Sequence, residues 1–268
     1  MKETRRLVNH ILVCAIALAM VSTLAAQSVG SAKVIRIKGP ARFTTGNNIW
    51  QPLGVGAVLQ PGTVVQTSTE RGSYVDLVLG DEHAAVVQPV AYKPGIVSSM
   101  AAASSSYQPS VDQNVVRIWE NSALGIDKLT SMQTGAETVT ETQLDLKAGR
   151  ITGNVRKMSA ASKYEIKLPN GVAGIRGTLY DISAEGVVKI FVGSAVVAAV
   201  DAKSGNVTTQ SVMGGQQYDM RSNQITPISQ SDMSELASLA TALTPVETVA
   251  PTTQAYDKTI VMTTTPIK

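Results

Sequence analysis

The sequence is poor in the residue types that most often build reactive centres. It has one cysteine, Cys14, and two histidines, and aromatic residues make up 4% of its 268 residues. Cys14 lies in an apolar N-terminal run, so a chain that loses this run carries no thiol. Such a chain can form no disulfide, no thiolate nucleophile and no cysteine metal site. With so few aromatics, the core must be built from Val, Leu, Ile and Ala.

The charge balance argues against a nucleic-acid partner. The formal net charge is +3, and two of these charges come from residues 1–26, where Lys2, Arg5 and Arg6 outnumber Glu3. A protein that binds nucleic acid needs a basic stripe that displaces counterions from phosphates. The nearly neutral remainder shows no such stripe, so we expect no nucleic-acid partner.

Residues 1–26 have the pattern of a secretory signal peptide. A basic start is followed by an almost continuously apolar run, Leu7 to Leu24, and then by the small residues Ala25 and Ala26. The alternative is an uncleaved membrane anchor, although the run is shorter than the roughly 20 residues that span a bilayer. We expect export to a bacterial periplasm or cell envelope, with membrane contact through this segment if it is retained.

From Lys33 onward, short alternating segments are separated by Gly, Pro and Asn. The segment 74–79, for example, places Val75, Leu77 and Leu79 on one face. Alternation broken by frequent turn residues is typical of an all-β protein. The predicted strands are 33–37, 62–67, 74–79, 115–120, 143–147, 150–155, 163–168, 179–183, 187–192, 195–200 and 212–220.

Two regions depart from this pattern. Residues 94–112 are rich in Ser, Ala and Pro and predict an exposed loop. In the C-terminal region, 227–268, Asp232 and Glu235 have the spacing of a capping box. The apolar residues that follow share one face of a short helix, and beyond Thr244 we expect an extended or disordered tail. The face of this helix consists of Met233, Leu236, Leu239 and Leu243.

The segment AGIRGTLYDI at 173–182 resembles the signature of the FecR domain. The lead-in IKLPNG at 166–171, the upstream segments LQPGTVVQT at 59–67 and LKAGRI at 146–151, and the downstream VMGGQQ at 212–217 are similar to other parts of that family. The resemblance spans roughly residues 33–221. It implies an all-β, β-solenoid-like stack of short strands located outside the inner membrane.

The signature residues are Arg176, Gly177, Thr178 and Tyr180, and we expect their role to be structural. Gly177 would permit close backbone approach, and Thr178 favours an extended strand. Arg176 could bridge carbonyls or a carboxylate, and the alternative is direct contact with a ligand.

The best-known FecR proteins regulate iron uptake and hold a sigma factor through a cytoplasmic N-terminal segment. Only residues 1–6 precede the apolar run here, so we expect no cytoplasmic segment of useful length. The resemblance therefore implies the domain, and sigma-factor regulation does not follow from it.

Candidate catalytic residues are few. His83 follows Asp81 and Glu82 where a solvated hairpin turn is expected, and a chain that has lost residues 1–26 has no second histidine to complete a zinc site. Paired carboxylates can hydrolyse glycosides. The carboxylates considered for that role are Asp145, Glu165, Asp181 and Glu185. Most of them alternate with apolar residues, as outward-facing strand residues do. We expect no enzyme activity, no cofactor and no metal.

The function expected from the sequence is that of a non-catalytic binding or signalling module. Sheet faces and edges can bind a protein partner, for instance by accepting an added strand. The alternative is binding of cell-wall glycan or exopolysaccharide, for which Trp50 and Trp119 are candidate stacking residues. Isolated tryptophans are more often core or half-buried anchors, and that reading of both residues stays open. A weak hydrolase is the third hypothesis, and the sequence leaves the partner or glycan unidentified.

Overall fold

The computed structural model describes residues 27–47, 49–80, 114–135, 137–201 and 204–243. Within these ranges it contains seventeen strands and one helix, α1 (Gln230–Leu243). The strands are β1 (Gln27–Val29), β2 (Ser31–Lys38), β3 (Ala41–Thr44), β4 (Gln51–Pro52), β5 (Val58–Leu59), β6 (Thr63–Thr67), β7 (Tyr74–Gly80), β8 (Asn114–Trp119), β9 (Ala123–Thr134), β10 (Glu137–Ala148), β11 (Arg150–Asn154), β12 (Lys163–Leu168), β13 (Gly171–Ser183), β14 (Val187–Val200), β15 (Val207–Met213), β16 (Gln216–Asp219) and β17 (Gln224–Pro227).

The strands form two layers around one core. Layer 1 consists, in order of pairing, of β2, β7, β8, β11, the second half of β13, the first half of β14, β16 and β17. Layer 2 consists of β4, β3, β6, β9, β10, β12, the first half of β13, the second half of β14 and β15. Both layers contribute their inner side chains to a single hydrophobic cluster.

The two layers belong to one curled sheet. At one side, β13 and β14 bend from layer 2 into layer 1, with a register shift between Arg176 and Leu179. At the other side, β1 pairs with β9 of layer 2, and β2, which follows after Gly30, pairs with β7 of layer 1. The hydrogen-bonded ladder therefore closes on itself.

The predicted all-β class is confirmed, but the predicted solenoid-like stack is not what this topology shows. A β-solenoid stacks successive coils, so its neighbouring strands belong to repeating units. Here β10 and β12 form the one parallel pair among the described strands, and the other pairs are antiparallel. Short turns such as the one between β12 and β13 permit antiparallel neighbours, whereas parallel neighbours require long crossovers.

The core is mainly aliphatic, as the low aromatic content predicts, with three fully buried tyrosines added. Tyr164 and Tyr180 approach each other through their hydroxyl oxygens, which lie 3.1 Å apart, and the Tyr218 hydroxyl donates to Asn223 Oδ1 at 2.8 Å. Burial raises the pKa of both Tyr164 and Tyr180. The hydrogen bond between the two hydroxyls gives each buried oxygen a polar partner.

Most predicted strands coincide with observed ones. Segment 163–168 is found as predicted, and Val75, Leu77 and Leu79 all point into the core. Other predictions differ. Segments 187–192 and 195–200 form one strand that continues through Gly193, and its extra residue in the pairing with β13 is Phe191. Segment 179–183 is the end of the longer strand β13, and segment 212–220 is divided by a turn. β9 is among the strands that were not predicted. The predicted leader 1–26, the loop 94–112 and the tail beyond Thr244 lie outside the described residues.

The predicted C-terminal helix is confirmed as α1. Leu236, Leu239 and Leu243 are buried, and Leu243 belongs to a small cluster on the outer side of layer 1 with Ile35, Val78 and Val115. The predicted capping box at Asp232 and Glu235 was wrong in detail. Ser229 Oγ accepts a hydrogen bond from the Asp232 amide at 3.2 Å, so Ser229 is the N-cap residue. Of the described residues, no helical stretch is long and apolar enough to cross a membrane.

Candidate interaction surface

A row of polar side chains crosses the outer side of layer 1. Its members stand directly opposite one another on neighbouring strands, where cross-strand side chains interact. We call this set the polar row. It consists of Arg36 on β2, Asp76 on β7, Arg117 on β8, Thr152 on β11, Asp181 on β13 and Lys189 on β14.

Two arginines hold Asp76 in the polar row. Arg117 donates from Nε to Oδ1 at 2.7 Å and from Nη2 to Oδ2 at 2.8 Å, while Arg36 Nε lies 2.8 Å from Oδ2. Asp76 is completely buried. Burial lowers the pKa of Arg117, but the hydrogen bond to Asp76 and its charge outweigh this and raise the pKa. Because loss of one partner of a buried pair costs about 3–5 kcal/mol, these contacts fix how β2, β7 and β8 pair.

Asp181 is engaged by other residues of the chain. Its Oδ2 accepts from Thr152 Oγ1 at 2.6 Å and lies 3.5 Å from Arg150 Nε, and Thr152 in turn accepts from Trp119 Nε1 at 2.8 Å. Burial raises the pKa of Asp181, although Arg150, Thr152 and Lys189 each act to lower it. The buried Asp181 carboxylate therefore links β13 to β11, and its hydrogen-bond and charge partners are side chains of the same protein.

Helix α1 lies against layer 1 and forms two ion pairs there, one with Lys189 of the polar row and one with the neighbouring Arg150. Lys189 Nζ donates to Asp232 Oδ2 at 2.9 Å, and Arg150 Nη2 donates to Glu235 Oε1 at 2.9 Å. The hydrogen bond from Lys189 lowers the pKa of Asp232. The polar row is therefore largely occupied by the protein itself and offers little free surface.

An open pocket of about 400 Å³ lies beside α1. Its walls carry basic and acidic groups in equal number, because Arg71 and Arg150 face the same space as Glu120 and Glu235. Small-molecule sites are usually concave and mainly apolar. This pocket is open and polar, which is typical of a surface groove.

The outer side of layer 2 presents a different surface where β13, β14 and β15 lie side by side. The exposed residues here are mostly apolar, and standard strand spacings give this area dimensions of roughly 20 Å by 10 Å. We call it the valine face. Its large apolar members, with their exposed fractions, are Val172 (37%), Val196 (53%), Val200 (43%), Val207 (65%) and Met213 (53%).

The signature residue Arg176 borders the valine face. It stands opposite Ser194 on β14, and Ser194 stands opposite Met213 on β15, so these three residues form the end row of the face. Arg176 is exposed. Its place in this row does not test the prediction that Arg176 bridges carbonyls or a carboxylate. Because Arg176 is exposed there, its guanidinium is available to a partner.

The other signature residues lie in the bend and in the core. Gly177 has a positive φ of 61° and packs against the backbone of Lys157, whose Cα would be 3.3 Å from an added Cβ. Thr178 is buried, and its Oγ1 donates to the Ser194 carbonyl at 2.9 Å. Tyr180 is fully buried. These contacts are consistent with structural roles for Gly177, Thr178 and Tyr180.

The four candidate carboxylates do not form one site. Asp145 pairs with Lys147, and Glu165 accepts from Gln143 Nε2 at 3.0 Å on layer 2. Asp181 lies in layer 1, and Glu185 lies in the turn between β13 and β14, 3.7 Å from Arg221. His83, Asp81 and Glu82 fall outside the described residues. Among the described residues, no cluster of His, Cys, Asp and Glu could hold a metal ion.

Both tryptophans have a guanidinium beside the ring. Arg42 lies 4.6 Å from the centre of the Trp50 ring, and Arg150 lies 4.7 Å from that of Trp119. Trp50 is 39% exposed. Trp119 points away from the core, opposite to Ile118, and is half-buried between Arg117, Arg150 and Tyr74. Of the two rings, Trp50 is the more accessible to a sugar.

Comparison with known proteins identifies part of this architecture. The model of the FecR family, described as "FecR protein", matches residues 100–198, which include β8 to β13 and most of β14. Residues 33–99 and 199–221, which the sequence resemblance also covered, lie outside this match. No curated protein matches the chain.

Two crystal structures of a "putative anti-sigma factor from Parabacteroides distasonis ATCC 8503" are similar to part of the chain. Each is 12% identical to it, with a TM-score of 0.32, and the overlap covers 46% of this chain and 54% of the other. The chain thus matches about half the length of these structures. A likeness this low carries no argument about fold or function. The family match at 100–198 includes the whole signature from Ala173 to Ile182, so this part of the chain is similar to the FecR domain.

Proposed function

We propose that this protein is an exported, non-catalytic module of the bacterial cell envelope that binds a protein partner in a signalling pathway. The observation that carries the proposal is the valine face. Five large apolar side chains are exposed together on one side of the sheet, and a partner that covers them would remove their apolar surface from water, which is favourable.

The position of the family signature supports this use of the valine face. Arg176 lies at its border, where a guanidinium can bind a partner's carboxylate with two hydrogen bonds. Arginine is among the residue types that most often dominate the binding energy of protein interfaces. A partner that fits would present apolar side chains next to an acidic group.

Export and the absence of catalysis are parts of the proposal. Export rests on the signal-peptide pattern of residues 1–26. A non-catalytic role is supported by the separation of the candidate carboxylates over both layers and by the engagement of Asp181 with Thr152 and Arg150.

Glycan binding is the competing function, and Trp50 is the observation that favours it. Its ring is partly exposed at the end of the sheet remote from β15, next to Arg42. Aromatic rings in such positions can stack on sugars. The two functions use different surfaces, so variants can separate them.

The test is capture from envelope extracts with the wild-type protein, Val196→Lys and, as a control, Val55→Lys. Both valines are highly exposed, but Val55 lies in the turn between β4 and β5. The proposal expects one defined protein to be captured by the wild type and by Val55→Lys and lost with Val196→Lys. Retention on insoluble peptidoglycan that is lost with Trp50→Ala would instead establish glycan binding.

A further inference from the structure

The open edge of β15 lies next to the valine face and is built differently from other sheet edges of this protein. Edge strands expose unpaired amides and carbonyls, and proteins protect them by shortness, proline or charge. Among the described strands, β4 and β17 are two and four residues long and contain Pro52 and Pro227, and β5 has two residues. In contrast, β15 has seven residues, Val-Thr-Thr-Gln-Ser-Val-Met, with no proline and no charge.

The backbone groups on this edge follow from the register. The Met213 amide donates to Gln216 Oε1 at 3.0 Å and so points away from β14. Amides along a strand alternate in direction with a period of two. The amides and carbonyls of Ser211, Thr209 and Val207 therefore point away from β14 as well.

Among the described residues no strand lies beside β15, because the chain turns away just before reaching it. Strand β17 pairs with β16, and the Ile228 amide still donates to the Gly215 carbonyl at 2.9 Å. The chain then leaves the sheet, because Ser229 is the N-cap residue of helix α1. An added strand beside β15 would continue the sheet in line with β17.

We propose that the occupant of this edge is β15 of a second copy, paired antiparallel about a two-fold axis at Thr209. This register places Val207, Thr209 and Ser211 opposite Ser211, Thr209 and Val207 of the other copy. All three outward-facing amides are then paired, and the Met213 amide keeps its bond to Gln216. Since β15 carries no charge, the two-fold axis brings no like charges together.

Pairing of β15 with β15 of a second copy produces a dimer and no larger assembly. An isologous two-fold contact uses the same strand on both partners, so no unpaired β15 edge remains. The interface is small, and such interfaces give weak, concentration-dependent association. Pairing would also join two valine faces into one continuous surface. This dimerisation does not depend on the proposed function, because it requires only the unpaired edge of β15.

The experiment is sedimentation of the purified protein over a range of concentrations, for the wild type, Thr209→Lys, Thr209→Glu and an equimolar mixture of the two variants. Thr209 is exposed, so neither change disturbs the core. We expect the wild type to double in mass with concentration and each variant alone to remain monomeric, since like charges then meet at the axis. The mixture should regain the doubled mass, because Lys and Glu stand opposite each other.

Gln224→Lys, on the exposed edge strand β17, is the matched control and should dimerise like the wild type. The proposal is wrong if the wild-type protein remains monomeric at concentrations up to about 1 mM. Dimers that survive in both Thr209 variants show another interface and overturn it too. A mixture that fails to pair, while the wild type dimerises and the single variants do not, overturns the register centred on Thr209. Loss of partner capture with Val196→Lys but an unchanged dimer would separate this inference from the proposed function.

Discussion

At the scale of single residues, the core depends on close packing around its buried tyrosines. Gly153 on β11 stands opposite Tyr180 on β13. A Cβ added at Gly153 would overlap the Tyr180 phenol and lie 2.8 Å from Cε1. The bond between the hydroxyls of Tyr164 and Tyr180 leaves that ring little freedom to move. The glycine is therefore required by space rather than by an unusual backbone angle.

We predict that Gly153→Ala lowers the free energy of unfolding by about 1–3 kcal/mol, the usual cost of overpacking a core. Gly174→Ala is the control, since a Cβ there has as its nearest neighbour the Val196 carbonyl oxygen at an ordinary 3.6 Å. It should be neutral or slightly stabilising. Urea denaturation measures both changes, and equal effects of the two substitutions would contradict the packing described here.

The sequence predicts the charged residues of the polar row less well than it predicts the core. Asp181 alternates with apolar residues, and this pattern favoured an outward, solvated carboxylate. It does point away from the core, yet it is 6% exposed, since Thr152 and Arg150 surround it. Cross-strand partners far apart in sequence decide the burial of such a residue, and a single strand contains no information about them.

At the scale of elements, helix α1 is held on layer 1 by leucines and by two ion pairs. Its leucine pattern made the helix predictable, whereas its partners Lys189 and Arg150 were not, because they come from strands 40 or more residues away. The Lys189 hydrogen bond, the Ser229 hydrogen bond and the Arg150 charge together hold the pKa of Asp232 below its ordinary value, against the effect of burial.

This lowered pKa gives the docking of α1 a pH dependence. A carboxyl with a lowered pKa in the folded state stabilises that state above its unfolded pKa, and the contribution is lost as the pH falls through the folded pKa. We predict that Lys189→Met moves the pKa of Asp232 upward, and that in this variant α1 loosens at a higher pH than in the wild type. An NMR titration that follows the Asp232 carboxyl and the α1 amides measures both effects.

Lys167→Met is the control for this titration, because Lys167 pairs with Asp127 on layer 2 at 2.8 Å and does not contact α1. It should leave the Asp232 titration unchanged. An Asp232 pKa that is the same in the wild type and in Lys189→Met would show that the ion pair does not hold the helix.

The strands themselves were more predictable than their arrangement. Alternation located most of them because one side of each strand packs on the core. It could not show that β13 and β14 are continuous through the glycines at 177 and 193, because both positions look like turns in the sequence. These long bent strands join the two layers, and they are the reason that the sheet curls instead of stacking in coils.

At the scale of the whole molecule, the two outer surfaces have different uses. Layer 1 is covered by its own helix and by the ion pairs of the polar row. On layer 2, none of the residues that the structure describes covers the valine face or the β15 edge. The FecR signature lies where the strands pass from one layer to the other, so it shapes the bend and places Arg176 beside the valine face. The central claim is that this face binds a protein partner.

The most direct test is site-specific photocrosslinking in the intact cell envelope, with a photoreactive residue in place of Val196 and, in parallel, in place of Val55. The account predicts that a defined protein other than this chain is crosslinked from position 196 and not from position 55. If position 196 yields no protein adduct, or yields the same adducts as position 55, the valine face is not a binding surface and the central claim is wrong.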